Sequence, residues 1–446
     1  MLAQPSGRAS VRWAAILAAG VAVLALAGYV LAGSDRPAAT PPARPAPGSS
    51  LGLALRPGQT TSEQIAVLQA AAAARPGDAE VLASLGLAYY QRVRETGDFS
   101  FYARAEGVLD HAVRSQPTNL TATVGLATVA LARHDFRGGL RYSERARQLD
   151  PRGVQGYAGM VDGLVELGRY REAGRALQRF VDLRPGLPAY ARVSYFRELH
   201  GDLAGAIDAM SYAVSAGGEA PENVAYVETL LGDLRFLSGG AAAARTAYLR
   251  ALAGVAHYVP AEVGLAQLDA AAGRLPAAIA GLRDAVARLP LPQYVVALGE
   301  DELAAGRPAA ARRDFAIIGV EERLLRANGV NTDVDLALYE ANHGDPARAV
   351  ALGRRAWGQA PSVRSADALG WALTRAGRPG PGLGWARRAL SLGSADPGFL
   401  YHAGIAARAS GHRGEARADL ERALARNPRF SPLYGPLARR ALESVR

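Results

Sequence analysis

From about residue 60 onward the apolar positions recur at i, i+3, i+4 and i+7, the spacing of amphipathic helices, with no sustained strand-like alternation. Apolar residues recur at this spacing before each turn glycine and again after it. The turn glycines are themselves periodic. Gly411, Gly377, Gly344, Gly306, Gly273, Gly239, Gly201 and Gly168 are separated by 34, 33, 38, 33, 34, 38 and 33 residues, and His134 takes the same place one unit earlier. Five residues beyond most of them stands a small residue (Ala173, Ala206, Ala244, Ala278, Ala311, Ala349, Ala416), and seven further on another alanine. Pro117, Pro151, Pro185, Pro290, Pro361 and Pro428 close several units.

This pattern predicts a helix–turn–helix unit. The glycine ends the first helix in a left-handed turn, the alanines let paired helices approach, and the proline stops the second helix. One such unit cannot bury its apolar faces, whereas a stack can. Ten units begin near residues 79, 120, 154, 187, 225, 259, 292, 330, 363 and 397. Extra residues fall around Arg94–Tyr102, near Ala216–Glu222 and near Gly319–Asn328, the last read as an added helical turn ending at Asn328-Gly329.

The spacing resembles the tetratricopeptide repeat (TPR) family. Residues 397–428 carry its pattern through Leu400, Ala403, Gly404, Ala407, Gly411, Ala416, Leu420, Ala423 and Pro428, and 154–185 through Tyr157, Met160, Leu164, Gly168, Ala173, Leu177, Phe180 and Pro185. The resemblance implies an all-α, right-handed superhelical solenoid of about ten units over 79–428, with a capping helix within 60–78 and another within 429–446. In this family the first helix of each unit lines a concave groove. The resemblance therefore implies a partner-binding groove of Asp162, Glu166, Tyr195, Glu198, Tyr226, Asp233, Phe236 and Glu300, acidic in its middle. Arg364, Trp371, Arg375, Tyr401 and Arg408 would make its C-terminal end basic and aromatic. The carboxylate clamp of co-chaperone members has no counterpart: the matching positions are Glu80, Ala83, Leu87, Thr121, Val124 and Thr128.

Ahead of the repeats, residues 13–32 form an uncharged, mostly apolar run flanked by Arg8, Arg12, Asp35 and Arg36. Its length suits a bilayer-spanning helix, and Trp13 and Tyr29 lie near its ends, where interfacial aromatics collect. Residues 1–33 are read as a signal anchor, or as a signal peptide cleaved after Ala25-Leu26-Ala27. An anchored body would lie outside the cytoplasm; cleavage of residues 1–27 would release it. Residues 34–59, rich in Pro, Ala and Gly, are read as a spacer.

Composition narrows the chemistry. There is no cysteine and no lysine, and all 51 basic residues are arginine. Thiolate metal sites, cysteine nucleophiles, Schiff-base chemistry and a lysine-dependent phosphate loop are excluded. No zinc-binding HExxH or nucleophile elbow occurs, so no catalytic residue, cofactor or metal is expected. Gly380-Pro381-Gly382-Leu383-Gly384 has no preceding strand and is read as a loosened turn, and His200 and His343 as solvated turn histidines. Asn331, Asp333 and Asp335 alternate as in a calcium loop, but position twelve is Asn342 rather than glutamate. The net charge of +10 is uneven: residues 363–446 hold 14 Arg against 6 Asp plus Glu. The leading expectation is a protein–protein scaffold for cell-envelope assembly, with nucleic acid not expected as its partner. The alternative is a module binding an anionic polymer, nucleic acid or cell-wall polyanion, through the basic C-terminal repeats.

Overall fold

The computed structural model describes residues 59–218 and 220–446, and the expectations placed on residues 1–58 lie outside them. Among the described residues there are 23 helices and no strands. A leading helix, α1 (Thr61–Ala74), begins at a capping box in which Thr60 and Glu63 satisfy each other's free groups. Ten helix pairs follow: α2 (Ala79–Thr96) with α3 (Ser100–Ser115), α4 (Leu120–Ala132) with α5 (Phe136–Leu149), α6 (Gln155–Glu166) with α7 (Tyr170–Leu183), α8 (Leu187–Leu199) with α9 (Leu203–Ala216), and α10 (Pro221–Leu237) with α11 (Ala241–Gly254). The second half continues with α12 (Val259–Ala271) and α13 (Leu275–Arg288), α14 (Pro292–Ala304) with α15 (Pro308–Phe315) and α16 (Ile318–Ala327), α17 (Asp333–His343) with α18 (Pro346–Gln359), α19 (Val363–Arg375) with α20 (Pro379–Ala389), and α21 (Pro397–Ala409) with α22 (Arg413–Arg426). A final helix, α23 (Tyr434–Glu443), packs on α22.

Consecutive helices pack in pairs, and first helices also pack on the first helices of neighbouring units, as α2 does on α4, α4 on α6, α17 on α19 and α19 on α21. The first helices thus form an inner layer and the second helices an outer one. The turn glycines from Gly168 to Gly411 take φ between +69° and +85°, with Gly344 the exception at −122°. His134 supports the same left-handed turn at φ 61° without being glycine. Alanines fill the hairpin contacts: Ala173, Ala206, Ala244, Ala278, Ala311, Ala349 and Ala416 are each fully buried.

Three local expectations are corrected. The extra residues before Asn328 form a separate helix, α16, because the chain breaks between Phe315 and Ile318. Residues 380–384 lie inside α20 rather than in a turn. Pro379 presets the first helical φ, and a Cβ at position 382 would come within 2.3 Å of Thr374 Oγ1, so glycine there permits close packing on α19. His343 is not solvated: its side chain is 8% exposed, stacked on Phe315 and bonded to Glu300.

The superhelix closes on itself. Asn331 N donates to Arg133 O at 3.0 Å, Val363 N donates to Tyr170 OH at 2.8 Å, and Asn427 Nδ2 donates to Phe236 O at 2.8 Å. The latter two contacts join residues 193 and 191 apart, just under six units of about 34 residues. The corners that end α4, α6, α8 and α10 therefore rest on the loops that precede α17, α19, α21 and α23. Small apolar clusters straddle this seam, for example Leu131 and Phe136 with Ala360, and Leu199 with Val363 and Leu392.

Candidate functional site

A superhelix that closes every six units leaves its inner layer facing a narrow lumen. Arg94 at the end of α2 reaches Glu222 at the start of α10 at 3.0 Å, four units away. Gln91 donates to the same carboxylate at 3.0 Å. The lumen is thus bridged by side chains at that level, and the concave groove implied by the resemblance is constricted there.

The individual residues separate into three groups. Asp162, Glu166, Trp371 and Tyr401 are buried. Asp162 receives a bidentate pair from Arg192 at 2.8 and 2.6 Å, with Arg192 itself 2% exposed. Glu166 accepts from Tyr195 OH at 3.0 Å. Trp371 Nε1 donates to Asn342 Oδ1 at 2.8 Å and its ring stacks on His402 at 4.3 Å, while Tyr401 packs against Phe430 and Tyr434. These two rings belong to the core between helices and do not form an open platform.

Tyr195, Glu198, Tyr226, Phe236, Glu300 and Arg364 are partly exposed, and Asp233, Arg375 and Arg408 are exposed. Glu300 accepts from Tyr434 OH and meets His343 Nε2, both at 2.9 Å, which fastens α23 and α17 to α14. Arg375 Nε donates to Ala341 O at 3.0 Å, and Arg408 donates to Ser444 at 3.2 Å.

Around Glu198 two acids face one cation, Arg364. The Glu198 carboxyl is pushed up to about 8 by burial, reinforced by Asp396 and Asp233 and only partly offset by Arg364. Its side chain makes no hydrogen bond or ion pair among the described residues. Asp233 accepts from Tyr248 OH at 2.7 Å. It keeps contact with solvent while the inner helices crowd it, and this crowding raises its carboxyl to about 6. A neutral or half-neutral acid in such a place stands ready to ionise beside a guest cation.

The polar stretch Asn328–Asp345 is absorbed by the fold. Asn331 Oδ1 caps α17 through Asp333 N at 2.9 Å, although Thr332 holds the capping position. Asp333 pairs with Arg355 at 2.9 Å, and Glu340 pairs with Arg348 at 2.8 Å. An open pocket of about 290 Å³ beside it is lined by Asn331, by the paired Asp333 and Arg355, and by Arg326 and Gln359 among others. Among the described residues no group of His, Asp and Glu is arranged to hold a metal ion.

Sequence reasoning did not single out Arg94, Arg192, Glu222 or Asp396. Arg192 lies 30 residues from Asp162, close to one repeat, so adjacent inner helices were a usable signal. Arg94 and Glu222 carry no such signal, because only the superhelical path brings them together.

No family model matches the chain, and no curated protein matches its sequence. Solved structures do resemble it. A thermophilic TPR protein of Thermus thermophilus is 19% identical over 43% of this chain and 98% of its own, with a TM-score of 0.38. A tetratricopeptide repeat protein of Parabacteroides merdae is 14% identical over 51% and 86%, at 0.40. The APC/C hetero-tetramer Cut9–Hcn1 is 16% identical over 87% and 67%, at 0.39. The packing of this chain's own consecutive helix pairs makes the fold a TPR-like helical solenoid. Among the described residues of this solenoid no helix is long and apolar enough to cross a membrane.

Proposed function

We propose that this chain is a non-catalytic, protein-binding repeat scaffold whose inner face takes a cationic segment of a partner. The observation that carries this reading is Glu198: a carboxyl in the lumen with no hydrogen-bond or ion-pair partner among the described residues, flanked by Asp396 and solvent-touched Asp233. A guanidinium or ammonium placed between them would add to the partial countercharge of Arg364 and favour release of the proton held by Glu198. Arg375 and Arg408, exposed toward the C-terminal end, suit acidic residues farther along the same segment. Entry is through an end of the lumen or by parting of the seam. Residues 13–32 would tether the scaffold to a membrane, with its work in assembling a cell-envelope complex.

The test is site-specific photo-crosslinking in cells, followed by mass spectrometry. A photoreactive residue at Asp233 or Arg375 should give one discrete protein adduct, and the same residue at exposed Arg179 on outer helix α7 should not. Adducts that arise only from Arg179 would defeat the inner-face reading.

A further inference from the structure

The outer layer carries a second surface, on α18 and α20. Neither helix contains an acidic residue, and together they hold five arginines. Three of these are paired from outside: Arg348 with Glu340, Arg355 with Asp333 and Arg387 with Glu415. Arg354 and Arg388, together with Arg378 at the start of α20, are exposed and have no acidic partner among the described residues. Between them lies an aromatic pair. Trp357 and Trp385 meet edge to face at 4.7 Å, and the Arg388 guanidinium lies 5.2 and 5.4 Å from the two rings. Trp371 has its indole N–H satisfied by Asn342, whereas those of Trp357 and Trp385 donate to no acceptor among the described residues. Gly358, Gly380 and Gly384 keep the surroundings low, since a Cβ on any of them would touch nothing.

We propose that this face docks on an anionic lipid bilayer surface. Uncompensated arginines are attracted to lipid phosphates, and partly exposed indoles with a free N–H favour the apolar-to-polar boundary of a bilayer. Single-stranded nucleic acid fits less well, because base stacking needs an open ring face. Here the edge of one indole packs on the face of the other and Arg388 lies over both rings. The face lies on the outer layer, so it can be occupied while the lumen holds a guest.

The experiment uses the full chain carrying Trp13→Phe. Emission changes then come from Trp357 and Trp385 over a constant background from buried Trp371. Vesicles of brominated phosphatidylcholine, with and without about a third phosphatidylglycerol, supply the quencher. Any insertion by the N-terminal run is common to both lipid mixtures, so the difference between them reads the face. Quenching should appear with the anionic vesicles and fall away as salt is raised. R354Q/R388Q, both at exposed positions, should raise the lipid concentration needed by on the order of tenfold with an unchanged circular dichroism spectrum. Equal quenching in both lipid mixtures, or no shift in the double variant, would overturn the proposal. So would an oligonucleotide that perturbs the same emission where anionic vesicles do not.

Discussion

The seam between superhelical turns can be tested with one substitution repeated at different glycines. Gly168, Gly201, Gly273 and Gly377 all end a first helix with φ between +69° and +79°. Alanine at any of them must enter the left-handed region, at about 1–2 kcal/mol. At Gly273 and Gly377 an added Cβ would meet nothing within 4 Å, so that cost is all that is expected. At Gly168 the Cβ would sit 2.3 Å from Pro361 O, and at Gly201 2.1 Å from Gly393 O, both backbone atoms of the next superhelical turn. One backbone must move by about an ångström, an overpacking cost of about 1–3 kcal/mol. G168A and G201A should therefore cost about 2–5 kcal/mol, against about 1–2 for G273A and G377A. Urea midpoints at constant m-value give the comparison, and small-angle scattering reports whether the radius of gyration grows only in the first pair. Equal costs at all four glycines, with no change in size, would mean that the turns do not rest on one another and that the lumen is open.

Other outcomes follow from the inner layer. Asp162→Ala leaves Arg192 buried without its partner and should cost about 3–5 kcal/mol, whereas replacing both by apolar residues should cost much less than the sum of the single changes; a double-mutant cycle in denaturant measures both. Glu198 holds a proton in the folded chain that the unfolded chain releases near 4.5. Its contribution to stability is therefore complete at acid pH and is lost as pH rises toward and through about 8. Unfolding midpoints of E198Q should match the parent near pH 5 and exceed it near pH 8.5, and an identical pH slope in the two proteins would contradict the assignment. Trp371→Phe removes the donor to Asn342 and should cost about 1–3 kcal/mol in the same assay. Tyr434→Phe should loosen α23 first, seen as faster amide exchange in residues 434–443 than in α19.

The repeat was legible because it is local. The spacing from Gly168 to Gly411, the alanines five residues on and the closing prolines each act within one or two neighbouring helices, and such contacts repeat with the sequence. The stack of ten helix–turn–helix units therefore followed from periodicity, whereas the superhelical solenoid and the acidic inner face followed from the resemblance to the TPR family.

What only the tertiary structure decided is how the stack winds. A small rotation from unit to unit accumulates, and no single residue encodes it; here it brings units just under six apart into contact. That sum puts Gly168 against Pro361, joins Arg94 to Glu222 across the lumen, and turns Trp371 and Tyr401 from groove walls into core. It also leaves Glu198 without a direct ion-pair partner among the described residues and aligns α18 with α20 so that Trp357, Trp385 and Arg388 share one outer face. Local periodicity determines the unit, and the accumulated rotation between units determines which side chains meet.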